Sequence, residues 1–225
     1  ADKSNAVAVG MVIAMNRVAS DTTAEIVDAP SVIAQDGLVK VTSDDVAAVE
    51  AAVTAATVSA SVGAGGAKSV SVAASFARNE ITSNADAAIL RSDVEAETDL
   101  TVAAIRNAQI DAKGLSAAVA VGLTAGGGSG GDVSFSGGGA VAFNSIRGQA
   151  AAKAADSTVD AKGTILVDAK SISAINATVL AASVSGMINI GGSGTPAVGI
   201  GASYVDNMIG YDQSTPDLTG ETVLN

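Results

Sequence analysis

Ala140-Val141-Ala142-Phe143-Asn144-Ser145-Ile146 is the third of four related stretches, and their spacing decides the fold. The others end in Met15-Asn16-Arg17-Val18, Arg78-Asn79-Glu80-Ile81 and Asp206-Asn207-Met208-Ile209, so Asn-x-(Val/Ile) returns at intervals of 63, 65 and 63 residues. Alternating small and apolar residues precede each copy. Self-similarity at a fixed long period marks a repeat architecture, in which each unit buries its apolar face against its neighbours.

The agreement runs through the whole unit. Ser31-Val32-Ile33-Ala34, Asp93-Val94-Glu95-Ala96 and Thr158-Val159-Asp160-Ala161 correspond, as do Val49-Glu50-Ala51, Ile110-Asp111-Ala112 and Ile175-Asn176-Ala177. From those last alanines to the next asparagine the distance drifts through 28, 32 and 30 residues. The drift falls in glycine-rich stretches: residues 63–66, 126–131 and 191–194. Length variation of this kind collects in loops, where backbone exposure makes it tolerable. The units run approximately over 6–70, 71–136 and 137–198, with a partial fourth at 199–225.

Within a unit the first half reads as short strands. Val159/Ala161, Ile165/Val167/Ala169 and Ile175/Ala177 alternate with polar residues, and β-branched side chains dominate. Lys-Gly and Asp/Ser/Lys pairs between them read as corners. The alanine-rich stretch Val46 to Thr57 has a helical alternative, but its counterparts contain Gly114 and β-branched runs, so a strand is expected. The second half is two longer alternating segments around the glycine loop. They form either a hairpin standing off the coil or two faces of a wider coil. Abundant Ala, Ser and Gly on both faces predict close approach of sheets. The fold expected is all-β, a parallel β-solenoid with hairpin-like sections admitted.

Composition narrows the functions. The chain has 23 acidic and 12 basic residues, a net charge of −11, no Cys and no His. Nucleic acid and anionic membranes both require clustered Lys and Arg, so neither is an expected partner. Without His or Cys, the Ser-His-Asp and Cys-His forms of catalysis and the usual zinc sites fall away. No apolar run is long enough for a membrane helix. Five Phe and Tyr residues are too few for the aromatic girdles of a membrane barrel, so no membrane insertion is expected.

Gly139 to Ile146 followed by Ser157 to Ala169 resembles the β-strand repeats of very large bacterial exported proteins, the filamentous-haemagglutinin-like and giant-adhesin sequences. Weaker copies extend that resemblance over nearly the whole chain. It implies a secreted or surface-attached solenoid acting as a stalk or adhesive body, outside the cell or on its surface, and it brings no catalytic residues.

Four polar groups are candidate sites. Asn16, Asn79, Asn144 and Asn207 are expected either to stack across turns, satisfying backbone amides, or to sit at surface corners in the left-handed conformation. Gly127 to Phe135 matches the first six positions of a calcium-binding nonapeptide and offers Asp132. Asp93, Glu95, Glu97 and Asp99 alternate along one strand face, and Asp44-Asp45 forms a second acidic pair. Ca²⁺ is the one cofactor these oxygens would suit, through Asp132, Asp93 or Glu95; the simpler reading is a glycine loop and a solvated strand face. No acid/base set converges, so the chain is expected to be non-catalytic. The function expected is a structural or adhesive rod. A self-assembling filament subunit and a carbohydrate-active β-helix enzyme are the alternatives. Neither end reads as a cap, since Asn5 to Ile13 is as apolar as an internal strand and Asp217 to Asn225 breaks off inside a unit, so further repeats of the same chain, or a second copy, are expected to pair end to end.

Overall fold

The structure is a computed structural model that describes residues 3–64, 66–125, 132–190 and 196–210. These residues form strands and no helix. The first coil is β1 (Ser4–Val27), β2 (Val32–Ala34) and β3 (Val39–Gly63), and the second is β4 (Ala67–Leu90), β5 (Asp93–Ala96) and β6 (Leu100–Ala125). The third is β7 (Val133–Arg147), β8 (Ala150–Ala155), β9 (Thr158–Ala161) and β10 (Ile165–Ile190), after which β11 (Ala197–Ile209) opens a fourth.

Every strand pairs in parallel with its own copy one coil away. One long sheet is ordered β1-β4-β7-β11, with β8 resuming on β4 where β7 stops. A second long sheet is β3-β6-β10, and a narrow one is β2-β5-β9. The fold is the expected parallel β-solenoid, and the register makes one repeat one turn of it.

The hairpin alternative is corrected. The two long segments flanking each glycine loop belong to opposite sheets and make no ladder with each other. The expected corner at Lys170-Ser171 is likewise absent, because β10 runs through it unbroken. The reason is phase: Ile165, Val167, Ala169, Ser171, Ser173 and Ile175 keep one alternation, so nothing forces the chain to turn. Val46 to Thr57 lies within β3. At about 3.3 Å per residue, long strands of 24–26 residues reach roughly 80 Å, so each coil is broad and flat.

Register shows how the length drift is absorbed. Ser4↔Ala67, Val32↔Val94 and Val39↔Leu100 are offset by 63, 62 and 61, so each corner of the second coil drops one residue. Lys68↔Val133 and Leu100↔Ile165 are both offset by 65, which places the compensating four residues in the second glycine loop. Within strands the register never slips, since a one-residue slip would turn every inward side chain outward. At the corner leaving the first long sheet, Asp28, Arg91 and Asp156 hold φ of 52°, 49° and 52°. The left-handed corners thus fall at these three residues and not at the repeated asparagines.

The interior tapers. Beside the narrow sheet it is three-sided and filled by Val41, Ile89, Val94, Leu100 and Val102. Towards the glycine loops the two long sheets close on each other. A Cβ on Gly138 would lie 2.6 Å from Ala182 O, and one on Gly10 would lie 2.7 Å from Thr57 Cγ2. Small side chains dominate the inward positions there, and several of the serines bond across the gap. Ser59 and Ser69 hydroxyls meet at 2.7 Å, and Ser116 Oγ donates to Ala73 O at 2.8 Å. Buried hydroxyls need such partners, so the thin end holds by polar stitching more than by apolar volume.

Candidate functional site

The repeated asparagines do stack, directly and inside. Asn16 Nδ2 donates to Asn79 Oδ1, Asn79 Nδ2 to Asn144 Oδ1, and Asn144 Nδ2 to Asn207 Oδ1, each at 2.8 Å. Their coils place them on the inward phase in mid-strand; Asn79 lies between Ala77 and Ile81. Coils about 4.8 Å apart let one carboxamide span to the next, so each satisfies its neighbour. Asn144→Ala leaves Asn79 Nδ2 and Asn207 Oδ1 unpaired, and should lower stability by about 1–3 kcal/mol in urea unfolding.

Residues 126–131, most of the calcium-like stretch, lie outside the described residues. Asp132 is described and buried, and its carboxylate is used. Its Oδ1 accepts the Ala67 amide at 2.7 Å and its Oδ2 accepts Asn189 Nδ2 at 3.3 Å. It therefore caps the start of β4 from one coil above. Asp132→Ala should lower the melting temperature equally with EDTA and with millimolar Ca²⁺; a shift that appears with Ca²⁺ alone would assign the carboxylate to a metal.

Asp93 and Glu95 stand exposed on β5, and Glu97 and Asp99 lie in the corner beyond it. Glu97 accepts Lys162 Nζ at 2.6 Å, which raises that lysine's pKa, and Asp99 Oδ1 accepts the Thr164 amide at 2.8 Å. Among the described residues no three acidic side chains converge in a metal-binding group. At the other corner Arg91 bonds Asp28 at 2.6 Å, a contact that lowers the Asp28 pKa but is exposed on both sides. Such pairs contribute little.

The most unusual interior group escaped the sequence reading. Asp45 and Arg106 occupy one inward ladder position on successive coils and are buried to 4% and 2% exposure. The acidic pair Asp44-Asp45 therefore splits, Asp44 facing outward and Asp45 inward. Arg106 donates from Nε to Ser83 O at 2.7 Å, from Nη2 to Arg147 O at 2.8 Å, and from Nη1 to the Ser171 and Ser173 hydroxyls. Burial lowers its pKa below the ordinary arginine value, and Asp45 acts the opposite way. Asp45 Oδ2 accepts Ser20 and Thr22, at 2.6 and 3.2 Å. The phase of Val102, Ala104, Arg106 and Ala108 signals an inward charge in the sequence. This cluster is closed to solvent, which suits structure and not turnover.

One open concavity has mixed chemistry. On the outer face of the first long sheet, Phe76, Phe143 and Tyr204 form a tilted ladder with ring centroids 5.7 and 5.8 Å apart. A shallow groove of 330 Å³ beside it is lined by Phe76, Arg78, Phe143, Arg147 and Asp206. Arg147 Nε is buried there without a hydrogen-bond partner among the described residues. Aromatic faces, a cation and a carboxylate together can hold a polar ring by stacking and hydrogen bonds.

The chain matches no family model, no curated protein and no solved structure.

Proposed function

We propose that this chain is a structural and adhesive rod segment of a bacterial repeat protein that works outside the cell or on its surface, without catalysing a reaction. The supporting observation is coil-on-coil pairing that is parallel in every ladder, with β1 and β3 at one end, and β10 and β11 at the other, lacking an outer strand among the described residues. Parallel coils extend by adding more of the same, and unpaired edges of this length are templates for that addition. The expected partner is a further coil of the same kind, from this chain or a second copy, which also accommodates a filament subunit.

The edge supplies the test. Ser4 and Asp28 donate their amides towards β4, so odd-numbered residues between them present theirs to the open edge. Val9→Pro removes one such outward donor and none of the β1–β4 bonds. End-on growth, seen by light scattering and electron microscopy at rising concentration, should fall sharply in Val9→Pro. Unchanged growth, or a chain that stays monomeric at high concentration, would sink the rod reading.

A second reading rests on the aromatic groove: a carbohydrate-active surface. It predicts saturable binding of oligosaccharides that Tyr204→Ala weakens by about 1–3 kcal/mol, measured by calorimetry. Turnover of a polysaccharide, lost in Asp206→Ala, would make it an enzyme.

A further inference from the structure

In the thin half of the solenoid the inward side chains are mostly small and the large apolar ones face outward, most clearly on the outer face of the β3-β6-β10 sheet. In register, Leu115 sits on Leu180, and Val58 on Val119 on Val184. Val62, Leu123 and Ile188 repeat the pattern. Val58, Leu180 and Val184 are 70%, 57% and 60% exposed. No charged residue occurs in 51–63, 114–125 or 171–190. The charges of this face, from Lys40 and Asp44 to Lys113 and Lys170, are confined to the half beside the narrow sheet. A chain of net charge −11 has thus kept one broad region free of charge, and contiguous exposed apolar faces of this size mark contacts.

We propose that this face pairs side by side with the same face of a second copy, the two rods parallel and rotated half a turn so that their charged halves point apart. Shape favours a copy. Ala56, Ala117 and Ala182 form a column of small side chains between the taller leucine and valine columns, all running along the rod axis. In this arrangement the columns of both copies run the same way, so a ridge of one seats in the groove of the other. Sheets packed face to face stand about 10 Å apart, close enough for side chains of this size to interdigitate. Charge also favours it, because the overlap brings no carboxylates together and those outside it are screened over about 10 Å at 0.1 M salt.

Lipid is the other occupant an apolar face admits, and the ladder edges argue against it. β3 crosses the apolar half with an edge that has no strand beside it among the described residues. Wherever no further coil covers that edge, hydrocarbon cannot satisfy its amides and carbonyls, whereas a face-to-face partner leaves them in water. The size of the contact sets its strength. Nine residues at about 3.3 Å and three coils at about 4.8 Å give a footprint of roughly 400 Å² on each copy. That falls below the roughly 1,200 Å² total of stable interfaces, so pairing is weak for three coils and strengthens with each coil added.

The test runs in the Val9→Pro background, so that loss of end-on growth and loss of lateral pairing are read separately. Equilibrium sedimentation of Val9→Pro should show concentration-dependent dimers, and adding Val119→Glu should weaken them about tenfold or more, because the carboxylate would be buried unpaired. The chain has no cysteine, so Ala117→Cys and Ala103→Cys each provide one thiol on this face. A short bismaleimide should link dimers through Ala117→Cys, at the centre of the apolar half, and not through Ala103→Cys, in the charged half. A monomeric Val9→Pro chain, dimers indifferent to Val119→Glu, equal linking of the two thiol variants, or flotation of Val9→Pro with phosphatidylcholine vesicles would each overturn the proposal.

Discussion

Arg106→Ala should lower the unfolding free energy by about 3–5 kcal/mol, the usual effect of removing one partner of a buried charged group. The guanidinium does more than face Asp45. The β4–β7 ladder ends at Thr82↔Arg147 and resumes at Ala85↔Ala150 on β8, and Gln149 gives its amide to Asn84 Oδ1, which frees the carbonyl of Ser83 at the break. Arg106 reaches across from the opposite sheet and donates to it and to the carbonyl of Arg147. Truncation therefore takes the guanidinium from both carbonyls and leaves the buried Asp45 carboxylate, which accepts from Ser20 and Thr22, without a neighbouring positive charge. Asp45→Asn added to Arg106→Ala should restore only part of the loss, since both carbonyls still lack the guanidinium. Arg106→Lys should fall between, because an ammonium lacks the planar fork that serves two acceptors at once. Urea midpoints of the three variants decide the matter: full restoration by Asp45→Asn would reduce the residue to a charge partner.

This group also marks where the sequence stops being legible. Period and alternation are properties of single residues, so the coil and the strand character of Val46 to Thr57 could be read directly. The direction of pairing could not, because antiparallel and parallel neighbours impose the same alternation. Only the register Asn16↔Asn79↔Asn144↔Asn207, a product of the whole coil, makes one repeat one turn and brings the carboxamides together. Which phase faces inward was hidden for a different reason. Leu180, Val184 and Ile188 are the large apolar residues of their stretch, yet they point outward, because the sheets there approach closely and mostly small side chains face in. Alternation puts Arg106 on the phase of Val102 and Ala104, but only the ladder shows that it shares one inward position with Asp45. Burial in a tapering solenoid depends on sheet separation, which no local pattern encodes.

Gly148→Ala should be nearly as damaging, on the order of 3 kcal/mol, from strain and overpacking together. Gly148 holds φ of 128°, a conformation that L side chains rarely adopt, at the break between β7 and β8. Its Cα faces the Ser83 carbonyl so closely that an added Cβ would overlap the oxygen and crowd Arg106 Nε at 3.1 Å. The break is held on its far side too, where Gln149 donates its amide to Asn84 Oδ1 and Ala85 donates its own to Gln149 O. A methyl group at 148 must push the carbonyl that Arg106 caps, so its cost and that of Arg106→Ala share a cause. The two substitutions should accordingly be non-additive: combined, they should destabilise less than their sum by roughly 1 kcal/mol or more. Gly139, on the outward phase of β7, has open space where a methyl would stand and serves as the control. Gly139→Ala should change stability by no more than about 0.5 kcal/mol. Strict additivity of Gly148→Ala and Arg106→Ala in urea unfolding would separate the two and show that the glycine is required by its backbone angle alone.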